Sequence, residues 1–466
     1  MSTAPPPSPR SPGIGGVDGA PSGTPVADPV RSSRAATGAN GAAPRRGSVL
    51  SSVIGAHAVV DYYSFIVVAL LPLLATRLDL SNQQKAYVLA AGSVMSGFIQ
   101  PLVAWIGDRL NTRLIATIGL VVAAGACSTI GLAQNFTQLL VLSAIGAAGV
   151  GAFHPPAAAV VGQLSGSRRS LGVSLFFVAG MGGGMAGNVL APYSISWLGH
   201  LAGGTGEAGL ALGLQWQSAL VIPGVLVGVV LARAIHDAPH RRSGAHADHA
   251  ALAPRERTLR WRAVWLLYAM SVTRFIVNTA LVYLFLRWIE TIAADRAGQA
   301  ATGASVGIAA SVLNGKFQAA MQLGMGGAGL AAGWLLRVHH EKASLVLVPL
   351  VGAVAIATVP LVDDIGLSHA GLIGVGLVLA TLAGVGFGGT VPTVIALAQR
   401  LLPHRTALAS GLMMGGAWGV GFLGPPLAEG LESRVSLEAA FFATAGLLVV
   451  CASLSLLLPG RLLREA

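Results

Sequence analysis

Charge is what this sequence has least of. Only 10% of its 466 residues are Asp, Glu, Lys or Arg, against about a quarter in a soluble globular domain. A water-wetted surface cannot be built from so few charges, so most of the surface must face another medium. Cysteine is almost absent too: Cys127 and Cys451 lie in separate apolar runs, with no CxxC spacing. That excludes a disulfide framework and a cysteine-held metal cluster. Paired catalytic carboxylates and a nucleophile motif are also missing, so neither an enzyme nor a cofactor is expected. A net charge of +11 would suggest nucleic acid in a soluble protein. Its distribution along the chain has a simpler account, given below, and no nucleic-acid partner is expected.

What is abundant is apolar surface: 54% of residues are hydrophobic and the mean hydropathy is +0.71. A helix needs roughly 20 predominantly apolar residues to cross about 30 Å of hydrocarbon. Such runs fall near 52–76, 86–107, 113–133, 136–163, 170–197 and 214–234, then near 262–289, 304–336, 344–362, 369–402, 406–428 and 436–459. The expected fold is therefore an all-α membrane protein, twelve transmembrane helices in two six-helix bundles, with the lipid bilayer as its medium. Residues 1–46, rich in Pro, Gly, Ser and Ala without apolar period, read as a disordered tail. An N-terminal bundle is expected over 47–236, a polar arginine- and histidine-rich linker over 237–261, and a C-terminal bundle over 262–466.

Placing the tail in the cytoplasm tests the orientation, because cytoplasmic loops carry the excess of Lys and Arg. Of the 29 Lys and Arg, only Arg77, Lys85, Arg287, Arg296 and Arg434 then face outward, and Arg274 and Lys316 lie within runs. An even number of crossings returns the C-terminus to the same side. Both termini and the linker are thus expected in the cytoplasm, with the chain in a bacterial inner membrane. The two halves also echo each other: 149–170 parallels 384–405, and Ser64–Val67 parallels Arg274–Val277. Parallel repeats of this kind imply two bundles around a central cavity.

Charges inside the runs are the candidate functional groups, because each is expensive in hydrocarbon. Asp61 lies in the first run with His57 four residues earlier, on one helix face. A carboxylate beside an imidazole is a candidate proton site, a structural ion pair being the alternative. His154, followed by Pro155 and Pro156, is expected to interrupt the fourth helix and put a titratable ring at a kink. Arg274 shares a face with Ser271 and Asn278, and its guanidinium fork suits a carboxylate or phosphate; Asp61 is its alternative partner. Ser311, Asn314, Gln318 and Gln322 form a polar stripe on the eighth helix, from which Lys316 points away. Gly182-x-Gly184-x-x-Gly187 and Gly384-x-Gly386-x-x-Gly389 follow no strand and read as close helix packing. Asp108, Arg109 and Arg113 join helices two and three, where a carboxylate can pair with arginines.

Taken together these residues resemble the major facilitator superfamily over roughly 50–460. Asp108-Arg109-Leu110-Asn111-Thr112-Arg113 is similar to its loop between helices two and three, although Ala104 and Asn111 stand where glycines are usual. Within it the fosmidomycin-resistance branch is the nearest likeness. His57, Asp61, Pro72, Gln100-Pro101, Phe153-His154-Pro155, Ser174-Leu175-Phe176 and Arg274 carry that likeness. Pro156 replaces a usual acidic residue, Phe177 a usual Gln, and Gly187-Asn188 a usual Gly-Pro. The resemblance implies a secondary active transporter exporting a drug or organic anion by proton antiport and alternating access. Proton symport for uptake of an organic acid or sugar is the alternative. His57, Asp61 and His154 would carry protons. Arg274, Asn278 and Gln100 would bind the solute, Arg274 holding an anionic group. Asp108, Arg109 and Arg113 would set the conformational balance.

Overall fold

In hydrocarbon every backbone N–H and C=O must find a partner within the chain, so each long apolar run resolves into helix. The computed structural model describes residues 46–107, 113–165, 169–235, 254–297, 303–335, 340–402 and 405–460, all within the unit Pro44–Ala466. Among the described residues there is no strand. The first half holds α1 (Arg46–Leu78), α2 (Asn82–Gly107), α3 (Arg113–Ser128), α4 (Phe136–Leu164), α5 (Arg169–Leu201) and α6 (Gly206–Ile235). The second holds α7 (Pro254–Ala297), α8 (Gly303–Leu335), α9 (Glu341–Leu361), α10 (His369–Leu401), α11 (406–434) and α12 (Leu437–Leu456).

Ten of these are long and apolar enough to cross a membrane. The remaining two are α8, 33 residues long with a buried polar stripe, and α11, broken by a π turn at Leu412–Gly416 and a 3-10 turn at Gly421–Leu423. Connections are tight where a cap can start the next helix. Asn135, Ser368 and Ser436 accept from the amides of Gln138, Gly371 and Ala439, occupying donors that a helix start leaves free. Residues 254–261, read above as the end of the linker, are the first turns of α7. Pro254 fits a first helical position and Arg260 pairs with Glu256 one turn away.

Helices α1–α6 pack together, α7–α12 pack together, and the bundles meet along α1 and α5 against α8 and along α2 against α11. Let the near end be where α1 begins and the far end where α1 hands over to α2. The apolar core divides along this axis. One cluster joins both halves at the far end, including Ile66–Leu74 of α1, Val277–Ile289 of α7, Phe317 of α8 and Phe441 of α12. Toward the near end the core splits in two. One part holds Val53, Val60, Phe153 and Val161 of the first half, the other Val264, Leu267, Leu397 and Met413 of the second.

Polar contacts reinforce the far-end seal. Lys85 of α2 pairs with Glu290 of α7 at 2.5 Å, Arg287 pairs with both Glu290 and Glu432 of α11, and Tyr283 donates to Glu432 at 2.6 Å. The polar stripe of α8 meets the place where Pro72 breaks the hydrogen bonding of α1. Val68 lacks its usual donor because residue 72 has no N–H, and the Asn314 amide supplies one at 2.7 Å. The freed Leu73 amide donates to Ser311 Oγ at 3.0 Å. Lys316 is exposed on the opposite side of α8. The glycine motifs pack closely at every glycine but Gly182, which faces open space: a Cβ at Gly187 would lie 2.3 Å from the Tyr62 carbonyl oxygen and one at Gly384 2.0 Å from that of Met321.

Candidate functional site

His57 and Asp61 occupy one face of α1 in the near-end half, and His154 of α4 closes on them. Asp61 lies 3.4 Å from Nε2 of each imidazole, one carboxylate oxygen toward each ring. The two Nε2 atoms are 3.1 Å apart. Each ring is held from behind by its other nitrogen: His57 Nδ1 lies 2.6 Å from the Phe176 carbonyl and His154 Nδ1 lies 2.7 Å from the Val150 carbonyl. A carbonyl can only accept, so both rings carry a proton on Nδ1, which leaves the inward Nε2 atoms as the places where a further proton is taken up or released. Two Nε2 atoms and a carboxylate thus face one centre at contact distances across which one added proton can be shared. The Asp61 carboxylate offsets the positive charge that such a proton brings.

The fourth helix does not break to make this site. α4 runs continuously from Phe136 to Leu164 through Pro155 and Pro156, which corrects the expected interruption at His154. Each proline costs one backbone donor, and Phe153, Pro156 and Ala157 are buried around that point of the continuous helix. α5 completes the pocket. The Phe176 ring stacks on His57 with centroids 3.8 Å apart, and Phe153 flanks it at 6.0 Å. Gly180 lets α5 approach, since a Cβ there would lie 2.4 Å from His57 and 2.6 Å from Asp61. Neither Phe176 nor Gly180 was named as a site residue. The signal was the Ser-Leu-Phe run with its following glycines. Access is from the His154 side, whose side chain is 26% exposed against 6% and 9% for His57 and Asp61.

The second half carries a buried charge of opposite kind on the matching helix, one turn beyond Ser271. Arg274 is only 2% exposed. It donates to Thr390 of α10 through Nη1 and to Ser271 at 3.2 Å through Nη2, while its buried Nε has no partner. The internal repeats pair Ser64 with Arg274, and hence Asp61 with Ser271 and Pro155 with Thr390. Of its two partners only Ser271 is the counterpart of a member of the first-half cluster, and Thr390 is the counterpart of the neighbouring Pro155. No carboxylate pairs with it among the described residues, so Asp61 is not its partner here. Asn278 follows one turn along α7 and is buried. Gln100 sits on α2 against Gly415 of α11, at a seam between the bundles. Deeper along the α5–α8 seam, the buried amides of Asn188 and Gln322 have no hydrogen-bond partner among the described residues. Asp108 and Arg109 lie outside the described residues, and Arg113 opens α3.

Three comparisons place these features. The family model described as Major Facilitator Superfamily matches residues 53–425. The Fosmidomycin resistance protein of Escherichia coli (strain K12) is 24% identical over 411 residues, covering 88% of this chain and 90% of that protein. Among solved structures, an inward-facing, unoccupied bacterial homologue of the human lysosomal transporter Spinster superposes with a TM-score of 0.65 at 17% identity, covering 91% of this chain and 99% of that one. A D-xylose-proton symporter gives 0.64 at 11% identity, covering 88% and 97%. These two likenesses carry the fold, which is that of twelve-helix transporters.

Proposed function

This chain belongs to the major facilitator superfamily and is a multi-pass membrane transporter, and from that premise we propose that it exports a small solute across the bacterial inner membrane in exchange for protons. The observation that carries the reading is the convergence of Asp61, His57 and His154 on one buried centre. A proton gained there is shared across contacts of hydrogen-bonding length and offset by the carboxylate, and a proton lost leaves both rings neutral, which is what a coupling site must do. The second half supplies Arg274, a buried guanidinium with no carboxylate, which an anionic group on the solute neutralises during transport. Asn278 and Gln100 line the solute's path, and Asp108, Arg109 and Arg113 balance the two access states. The near end is cytoplasmic on the distribution of Lys and Arg. The joined far-end core then makes this the inward-facing state, entered by the solute from the cytoplasm. The name of the Escherichia coli relative makes fosmidomycin the first solute to try.

Purified protein in proteoliposomes tests the reading. With an acidic lumen, wild type should accumulate fosmidomycin as protons leave. Asp61→Asn should abolish that accumulation while exchange of preloaded for external solute continues. Accumulation by Asp61→Asn equal to wild type would remove Asp61 from coupling.

A further inference from the structure

We propose that His57, Asp61 and His154 also form a binding site for a divalent transition-metal ion of the zinc class. Zinc in proteins is held by imidazole nitrogen at roughly 2.0–2.1 Å and carboxylate oxygen at about 2.0–2.2 Å. Four such ligands in a tetrahedron stand about 3.3 Å from one another. The three contacts here are 3.1 Å between the Nε2 atoms and 3.4 Å from each Nε2 to a carboxylate oxygen. One ligand atom from each residue lies within 4.8 Å of the other two, and rotation of the carboxylate brings either oxygen to the shared centre. The two imidazoles thus already stand at metal-ligand spacing, and the carboxylate reaches each of them with a different oxygen.

Two further features separate this cluster from a chance meeting of polar groups. A metal-bound histidine ordinarily donates its second ring nitrogen to a carbonyl or carboxylate, which fixes the tautomer and aims the free lone pair. Both rings do this, His57 to the Phe176 carbonyl at 2.6 Å and His154 to the Val150 carbonyl at 2.7 Å. The rings are also immobilised, His57 by stacking on Phe176 and by the close approach of Gly180. Donor chemistry selects the ion. Two imidazoles and one carboxylate suit zinc, cobalt or nickel, whereas calcium and magnesium require a shell of oxygens. Three protein ligands leave a fourth position open, and His154, 26% exposed on its side chain, gives the ion a way in.

Binding stands on this geometry and does not rest on the coupling reading. The experiment is titration of zinc into purified full-length protein without a histidine tag, by calorimetry in a non-chelating buffer. His236, at the end of the first bundle, and the linker histidines His240, His246 and His249 are replaced by Gln so that they do not compete. One saturable zinc per chain is expected, weakened at least about tenfold in Asp61→Asn and in His154→Gln. Cobalt added to the same protein should give the intense visible bands of a four-coordinate ion, a readout that leaves His57, Asp61 and His154 unsubstituted. No saturable zinc and only the weak spectrum of octahedral cobalt would overturn the proposal, as would unchanged affinity in both variants. Absence of binding alongside lost proton-driven transport in Asp61→Asn would leave the coupling reading standing. The reverse pattern would leave only the metal site.

Discussion

Arg274 sets the cost of the resting state. A buried guanidinium with two hydroxyl partners and no carboxylate is under-compensated, and replacing such a group by an apolar one of similar volume is often stabilising. Arg274→Met is therefore expected to raise the thermal midpoint of the empty protein while removing solute binding. Arg274→Lys keeps the charge but loses the fork. Its affinity for the probe solute should fall about tenfold, the scale of one charged hydrogen bond. Equal affinity in wild type and both variants, measured by equilibrium binding, would make the arginine structural. At Gly180 a methyl group would stand 2.4 Å from His57, so Gly180→Ala should disable the cluster without changing any charge. At this scale the sequence exposed the costly residues but not their partners. Asp61 and Arg274 stand out because charge in an apolar run must be explained. That Asp61 turns to His154, and Arg274 to Thr390, depends on which helix closes on which. His154 was legible as a polar ring beside two prolines, but its helix runs on through both of them.

At the scale of helices, the contact between α8 and α1 deserves the sharpest test. Pro72 strips the Val68 carbonyl of its donor and Asn314 replaces it from the other bundle. Asn314→Leu should loosen the far-end closure, and Pro72→Ala, by restoring the N–H, should make Asn314 dispensable. The two substitutions should couple by about 1 kcal/mol in a double-mutant cycle. The cycle is read as the labelling rate of a single cysteine at buried Ala86, with Cys127 and Cys451 replaced by Ser. Additive effects would mean that Asn314 and Pro72 act separately. Helix positions were readable from hydropathy to within a few residues for most of the chain. The exceptions have local causes. α7 starts early because proline and an i,i+4 ion pair carry the helix past its apolar part. α6 begins at Gly206 with Glu207 in its first turn, where the acidic residue obscures the start. The stripe on α8 was visible as a pattern, but its role at Pro72 required both bundles.

Over the whole molecule, the division of the core into one far-end and two near-end clusters describes a protein hinged shut at one end. The Lys85–Glu290 pair strengthens that closure, yet nothing in the spacing of those two residues predicted their meeting. Lys85→Gln should therefore speed labelling at Ala86, whereas Lys85→Arg, which keeps a cation opposite Glu290, should leave the rate slow. Orientation is checked separately. Single cysteines at Ser32 and Ser243 should label only after the membrane is permeabilised, and labelling in sealed right-side-out cells would reverse the topology. Direction of coupling is the central claim, and the most direct measurement is lumenal pH in proteoliposomes given the probe solute outside with no imposed gradient. Antiport sends protons out as solute enters, so the lumen should turn alkaline, and Asp61→Asn should show no change. A lumen that turned acidic would contradict the account, because solute and proton would then be travelling together.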